Sequence, residues 1–432
     1  MKIFIKVLSL GLLVVLIFAC SADYLSNRAQ YLSAITLKAN VESSTVGIVQ
    51  TLEFTVLGDD GEDYTSQSSI LVNGTAIEGS TFSFDEEGEY VFTATYLGYN
   101  SNSLTFNVVS ERFLVIDKSK ALRNQNIQFK LLNPDGTDAS EEAEFYVNNN
   151  LIEGAVFSSN ETGNYSVYAV YDNGLSQTEE ENFEIFIPRR KIVYEDYTGA
   201  WCGWCVRVTT AVQMLKEQSD DVVIVAIHNN DVMAFPQEAQ LRAQLGVAGF
   251  PTAKVNRTQT APNPENGQSS IDFALTHAGE DTDISIAINT NLSGNDLIVE
   301  VKLMSENNIP STHKLVVYLY QNGLIFPQAN YYNTIANSPW YQMGNPINDF
   351  VHDDVLEASL SSNIMGDPIP STAAFDVYSK TFSAVNLSQF GHTTPPNSYD
   401  PTRFGVAVYV VDQNNRAINA QHVKAGQSVN FE

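Results

Sequence analysis

The sequence predicts a multidomain chain: two β-sandwich repeats, one small α/β domain and a closing β-sandwich. Three observations carry this. Leu52, Phe54, Asp60 and Gly61 recur 75 residues later as Ile127, Phe129, Asp135 and Gly136, without a gap. A strand–helix–strand pattern runs from Lys191 to His228, and alternating strands resume near residue 282. Length alone gives a soft prior of about three domains for 432 residues. A hydrophobic fraction of 44% with 11% aromatics is enough to fill their cores.

The chain opens with Lys2 and Lys6 ahead of an apolar run from Val7 to Phe18, too short to span a bilayer comfortably. This reads as a secretory leader over 1–19. Leu16-Ile17-Phe18-Ala19-Cys20 resembles a bacterial lipobox. That resemblance implies that Cys20 becomes a lipidated first residue, the lipid anchor to the membrane, followed by a linker over 20–35. Everything beyond Cys20 would then lie outside the cytoplasm, where disulfides persist. The net charge of −27 argues against nucleic acid as a partner and against electrostatic adhesion to anionic lipid.

The repeat divides the next part into 36–110 and 111–188. Val72-Asn73, Ile77-Glu78-Gly79, Phe82, Gly88, Tyr90, Ala94 and Tyr96 recur as Val147-Asn148, Ile152-Glu153-Gly154, Phe157, Gly163, Tyr165, Ala169 and Tyr171. Short alternating strands such as 90–96 are separated by Gly, Asn and Asp turns. The Gly88-x-Tyr90 and Gly163-x-Tyr165 pairs resemble the tyrosine corner of immunoglobulin-like sandwiches, so both copies are expected to be immunoglobulin-like. Phe92 and Val167 stand where an antibody domain has its second cysteine. Apolar packing alone must hold these copies. Sandwich architecture specifies no role, and a spacer is the simplest one.

Trp201-Cys202-Gly203-Trp204-Cys205 holds two of the three cysteines. Val208, Ala211, Val212 and Leu215 lie on one helical face, so a helix is expected from Cys202 through Gln218. Lys191–Tyr197 and Asp221–His228 are expected strands, the second apolar enough for a buried parallel one. A C-x-x-C pair at such a turn reads as a thioredoxin-like redox motif. Gly249-Phe250-Pro251-Thr252, before a strand over 252–256, resembles the thioredoxin-superfamily turn whose cis proline faces the cysteines. Asp196 matches the family's buried acid six residues before the first cysteine, although strand parity could make Glu195 the inward one.

The resemblance implies a thioredoxin-like domain over 189–281 with Cys202, Cys205, Asp196 and Pro251 as its catalytic residues. Cys202, at the helix start, would be the attacking thiolate. Cys205 would resolve the mixed disulfide, and Asp196 would take its proton. Trp201, Gly203, Trp204 and Phe250 would contact substrate. The family's Gly-Pro between the cysteines is Gly203-Trp204 here, which leaves the direction of transfer open. A zinc half-site needs four ligands, and the six histidines are scattered. A permanent structural disulfide is the other alternative.

A C-terminal β-sandwich is expected over 282–432. Ile284, Ile286 and Ile288, a turn at 293–296, then Leu297, Val299, Val301 and Leu303 read as a hairpin; 313–320 and 405–411 are further strands. Aromatics on the long Asn-rich segment 326–350 can form a peptide or sugar platform, yet the segment is expected to pack onto its own sandwich. An Asp in Val351-His352-Asp353-Asp354 is explained as the N-cap of a helix over 355–360. No metal site is read there.

Cys20, the 197–205 run, the 249–252 turn, Phe350-Val351-His352-Asp353 and Ile418-Asn419-Ala420-Gln421 together resemble the Bacteroidetes outer-membrane lipoproteins named for a twenty-eight-kilodalton outer membrane protein. Members often carry proline after the second cysteine; this chain has Val206. The resemblance implies a thioredoxin-like domain followed by a β-sandwich on a lipid-anchored outer-membrane protein, and the constellation of Cys202, Cys205, Asp196 and Pro251 points to a thiol–disulfide oxidoreductase there, on the periplasmic or the surface face. Its partners would be envelope proteins with thiols or disulfides, with no cofactor beyond the cysteine pair. A surface binding or adhesion protein with a structural or vestigial redox module is the alternative.

Overall fold

The computed structural model describes residues 32, 34–41, 43–263 and 267–432. The leader and Cys20 lie outside the described residues. The chain falls into two compact units, one of Met1–Val115, Phe129–Phe145 and Tyr168–Glu181, the other of Ile116–Gln128, Tyr146–Val167 and Asn182–Glu432. The architecture is β-rich and multidomain, and among the described residues the α-helices fall within 206–275.

The sequence repeat is also a repeat of strand order. In the first copy one sheet runs Thr45–Gly47, Leu104–Val109, Gly88–Tyr96, Ser69–Val72, Thr75–Ala76, and a second runs Ile35–Ala39, Thr51–Gly58, Thr81–Ser83. The second copy repeats both orders with Lys120–Leu122, Glu181–Phe186, Gly163–Tyr171, Glu144–Val147, Asn150–Leu151 and with Phe113–Ile116, Ile127–Leu132, Val156–Phe157. Phe92 and Val167 are fully buried, as packing in place of a disulfide requires. Tyr90 Oη donates to the Glu86 carbonyl at 3.1 Å and Tyr165 Oη to that of Glu161 at 2.9 Å. Each bond pins the entry to its strand by the same four-residue reach.

The region that carries the cysteines is built on one nine-stranded sheet. Its main path runs Gln259–Thr260, Thr252–Val255, Ile192–Thr198, Val222–His228, Val355–Ser359, Lys314–Gln321, Phe404–Val411, Ala417–Lys424. Ile192–Thr198 and Val222–His228 are parallel and in register from Ile192↔Val222 to Thr198↔His228. The sheet thus continues across the 281/282 boundary through the Ala226↔Val355 pair. Val355–Ser359, expected to start a helix, is that joining strand. Its Val-Leu-x-Ala run suits a strand with both faces covered.

Alternation sends the two faces of the sheet into different cores. Ile192, Tyr194, Ile224 and Val255 pack under the helices Val206–Gln218 and Gln268–Leu275. Val193, Tyr197, Val223, Val225 and Ile227 pack instead against Leu241 of the short helix Glu238–Gln244 and against Val316, Tyr318, Ala407 and Tyr409 of the C-terminal strands. The sheet therefore covers part of itself. The opposite face of those C-terminal strands, Leu315, Val317, Val406 and Val408, meets the expected hairpin, Ile284–Ser293 with Asp296–Ser305.

Between the two halves of the sheet lies a buried ion pair. Arg257 Nε is 3.3 Å from Glu195 Oε1, and neither side chain reaches solvent. Arg257 Nη2 donates to Tyr318 Oη at 3.0 Å, Tyr197 Oη donates to Glu195 Oε2 at 3.1 Å, and Tyr318 Oη donates to the Ile364 carbonyl at 2.7 Å. This network ties Glu195, Tyr197 and Arg257 of the α/β region to Tyr318 and Ile364 of the C-terminal region.

One expected result follows for domain independence. A 189–281 fragment would expose Val193, Tyr197, Val223, Val225 and Ile227, each worth about 1.5–3 kcal/mol when buried. Their sum is comparable with a whole stability margin of about 5–15 kcal/mol. The fragment should show no cooperative thermal transition by circular dichroism, whereas residues 189–432 should melt in one step. A cooperative melt of 189–281 would show that the C-terminal strands are an ornament.

Candidate functional site

The Ile192–Thr198 strand ends at a tight turn that delivers the two cysteines. Cys202 N–H donates to the Gly199 carbonyl at 2.8 Å and Cys205 N–H to the Cys202 carbonyl at 3.1 Å. The cysteines form a disulfide with Cα atoms 5.4 Å apart. The helix begins at Val206, not at Cys202, and Cys205 is its N-cap. The reason is local: residues 202–205 are taken up by a turn of i to i+3 hydrogen bonds, so the regular helix starts only after the ring closes. The helix end therefore lies nearer Cys205, and the argument for Cys202 as nucleophile rests on exposure. Cys202 is 5% exposed and Cys205 1%, so both sulfurs sit in a recess.

Strand parity is settled by the cores. Asp196 lies on the face covered by the cysteine-bearing helix, and Glu195 lies on the other face with Arg257. Asp196 is buried, its Oδ1 has no hydrogen-bond partner, and burial pushes its carboxyl up to about 8. It lines a cavity of about 100 Å³ between strand and helix, together with Thr209, Lys216, His228, His352 and Asp354. A space of that size accommodates a few water molecules. Lys216 Nζ is 2.5 Å from Asp354 Oδ2, which offsets part of the burial that raises the Asp354 carboxyl. Burial, with His228 beside it, lowers His352 to about 3, so its imidazole is neutral at ordinary pH.

His228 ends its strand with Nδ1 2.8 Å from Asp231 Oδ2. The same oxygen accepts the Ala200 N–H at 2.7 Å, two residues before Cys202. Burial pushes the Asp231 carboxyl up, but His228 and the backbone N–H groups of Ala200 and Met233 hold it below the usual range. Sequence reasoning missed this brace; its only signal was His-x-x-Asp at a strand end.

The Phe250–Pro251 bond is cis, as the turn resemblance implied. Thr252–Val255 pairs antiparallel with Ile192–Thr198, which carries the proline to the end of the sheet where the cysteines emerge. Trp201 meets Phe250 edge to face at 5.6 Å, and its Nε1 donates to the Asn229 carbonyl at 2.7 Å. Trp201 and Trp204 remain 48% and 43% exposed beside buried sulfurs. Gly203 lies between them in the turn.

The aromatic segment 326–350 corrects an expectation. It packs onto the cysteine turn, not onto its own sandwich. Gln328 Nε2 donates to the Cys202 carbonyl at 3.0 Å, Ala329 N–H to the Ala200 carbonyl at 2.8 Å, and Tyr331 N–H to the Gly203 carbonyl at 2.9 Å. Trp204 meets Tyr331 and Tyr332 edge to face at 5.4 and 5.2 Å. Trp340 Nε1 donates to Thr210 Oγ1 at 2.9 Å, and Val206, Tyr332, Trp340, Ile347 and Phe350 form one apolar cluster. Backbone donors exposed in a long loop need partners, and the carbonyls of a tight turn supply them.

Residues 238–429 match the Omp28 outer membrane protein family, and residues 174–275 match the thioredoxin family. A curated relative, protein disulfide-isomerase 1 of Dictyostelium discoideum, is 26% identical over 101 residues, which are 22% of this chain and 27% of that protein. The chain thus spans about a quarter of that relative's length. Among solved structures, HBP35 of Porphyromonas gingivalis is 18% identical, covers 55% of this chain and 76% of its own, and superposes with a TM-score of 0.42. Domains 4–9 of the surface layer protein SbsC are 11% identical over 91% of this chain and 65% of that one, with a TM-score of 0.18. The thioredoxin match and the Omp28 outer membrane protein match together run from residue 174 to residue 429 and overlap over residues 238–275.

Proposed function

We propose that this protein is a thiol–disulfide oxidoreductase of the cell envelope, held at the outer membrane by lipid on Cys20. One observation carries the reading: a Cys202–Cys205 disulfide at a strand-to-helix turn, beside the cis Phe250–Pro251 bond, with a buried Asp196 on the helix-covered face. In the reducing direction, Cys202 thiolate attacks a sulfur of the partner's disulfide and expels one partner thiolate. Cys205, losing its proton to Asp196 in the fraction of molecules where that carboxyl is ionised, attacks the Cys202 sulfur and releases the second. The partner gains two electrons and the pair becomes the disulfide; oxidation is the same sequence reversed. Water in the cavity would carry the Asp196 proton onward. Of the four expected contact residues, Trp201 and Phe250 would line the partner's chain, with the backbone of Phe250 available for strand-like pairing, while Gly203 and Trp204 are covered by the Tyr331 segment. No cofactor is required. The partners are envelope proteins with thiols or disulfides, and the immunoglobulin-like repeats 36–110 and 111–188 are spacers between lipid and catalytic region.

Burial of both sulfurs favours a second reading, a surface binding protein with a structural disulfide. The reduction potential of the pair, measured on residues 189–432 in glutathione buffers, decides between them. A value well below about −300 mV marks a structural bond, and a value near the compartment's poise marks an exchanging one.

A further inference from the structure

Resting on the exchange reading, we propose that Tyr331 is a specificity-determining residue. Held on the active-site turn, it closes the Trp204 side of the cysteine pair to protein partners and leaves the Trp201–Phe250 side as the approach. The turn's outer edge is already used: Gln328 Nε2 reaches the Cys202 carbonyl and the Ala329 and Tyr331 N–H groups reach the carbonyls of Ala200 and Gly203. A segment of the same chain thus occupies the turn's carbonyls on this side, and a partner's backbone cannot reach them there. The Tyr331 ring lies so close that a Cβ on Gly203 would stand 2.3 Å from it. Glycine is thus required there for contact and not for backbone conformation.

The segment is braced to stay in place. Asn330 Nδ2 donates to the carbonyls of Trp340 and Gly344 at 2.9 and 3.0 Å, and Asn345 Oδ1 accepts the Asn330 N–H at 2.9 Å. Gln328 and Ile347 exchange both backbone hydrogen bonds. On the other side, among the described residues, no segment hydrogen-bonded to the turn in this way stands over Trp201 and Phe250, and Phe250 is only partly buried. With both sulfurs recessed, the partner that fits is an extended segment threading past Trp201, not the surface of a folded protein.

The test uses the reduced full-length chain and two thiol reagents, iodoacetamide and a maleimide bearing a five-kilodalton polymer. Their rate ratio divides out changes in thiol reactivity and reads access alone. Tyr331→Ala should raise the ratio of large to small reagent at least about tenfold, because displacing the segment no longer limits entry. Gly203→Ala, which pushes on the same ring from below, should do likewise. Thermal melts establish that each variant is folded; if Tyr331→Ala is not, Gly203→Ala and Tyr331→Leu decide. An unchanged ratio in folded variants overturns the proposal. Failure of even iodoacetamide to label the reduced wild type would overturn the exchange reading instead.

Discussion

Cys205→Ser should accumulate mixed disulfides between Cys202 and envelope proteins, whereas Cys202→Ser should accumulate few or none. Attack still occurs in the first variant and nothing resolves it; in the second there is no attacking sulfur on the open side. The order rests on exposure, since Cys202 is the less buried of the two and Cys205 caps the helix beneath it. Turnover with a small disulfide substrate should fall about a hundredfold or more in either variant, as when a nucleophile is removed from a concerted group. Non-reducing gels followed by mass spectrometry would name the trapped partners. Faster alkylation of Cys205 than of Cys202, or a Cys205→Ser strain with no trapped species, would show that the pair is structural.

How much of this was legible in the sequence depends on how far each interaction reaches along the chain. The cysteine turn, the strand pair around it and the cis-proline turn lie within about sixty residues and carry local signals of period and composition. They were placed well, apart from the helix start, where ring closure delays regular hydrogen bonding to Val206. The repeat was visible as recurring residues, and its strand order recurs with them. The segment 326–350 was misplaced because nothing local says which surface an aromatic loop covers; its partner Cys202 is 126 residues from Gln328. The strand Val355–Ser359 was misread for the same reason, since a short apolar run does not separate strand from helix until its neighbours are known. Parity between Glu195 and Asp196 was undecidable before the second core, with Arg257 in it, was in view.

Those adjacent carboxylates should respond to substitution with opposite signs. Glu195 neutralises Arg257 in a core where neither touches water, so Glu195→Ala leaves a guanidinium buried without its counter-charge and takes the acceptor from Tyr197 Oη. The cost should be about 3–5 kcal/mol in urea unfolding, the range for breaking a buried pair. Replacing both partners, Glu195→Met with Arg257→Met, should recover most of that loss, which separates charge burial from lost packing. Asp196 has no such partner, and burial alone raises its carboxyl to about 8. Its folded-state value lies above the unfolded value of about 3.9, so the folded chain holds the extra proton between those limits. Stability attributable to this group is therefore full below about pH 4, declines as pH rises, and levels off above about pH 8. Asp196→Asn should remove that decline and make the protein more stable at pH 7 by up to about 4 kcal/mol, at 1.36 kcal/mol per unit. Exchange should slow in the same variant, because Cys205 loses the acceptor for its proton. A group kept against its own stability cost is one held for chemistry. If Asp196→Asn is instead destabilising at pH 7 and its pH profile parallels the wild type, the carboxylate is a structural anchor and the proton must leave Cys205 by another route.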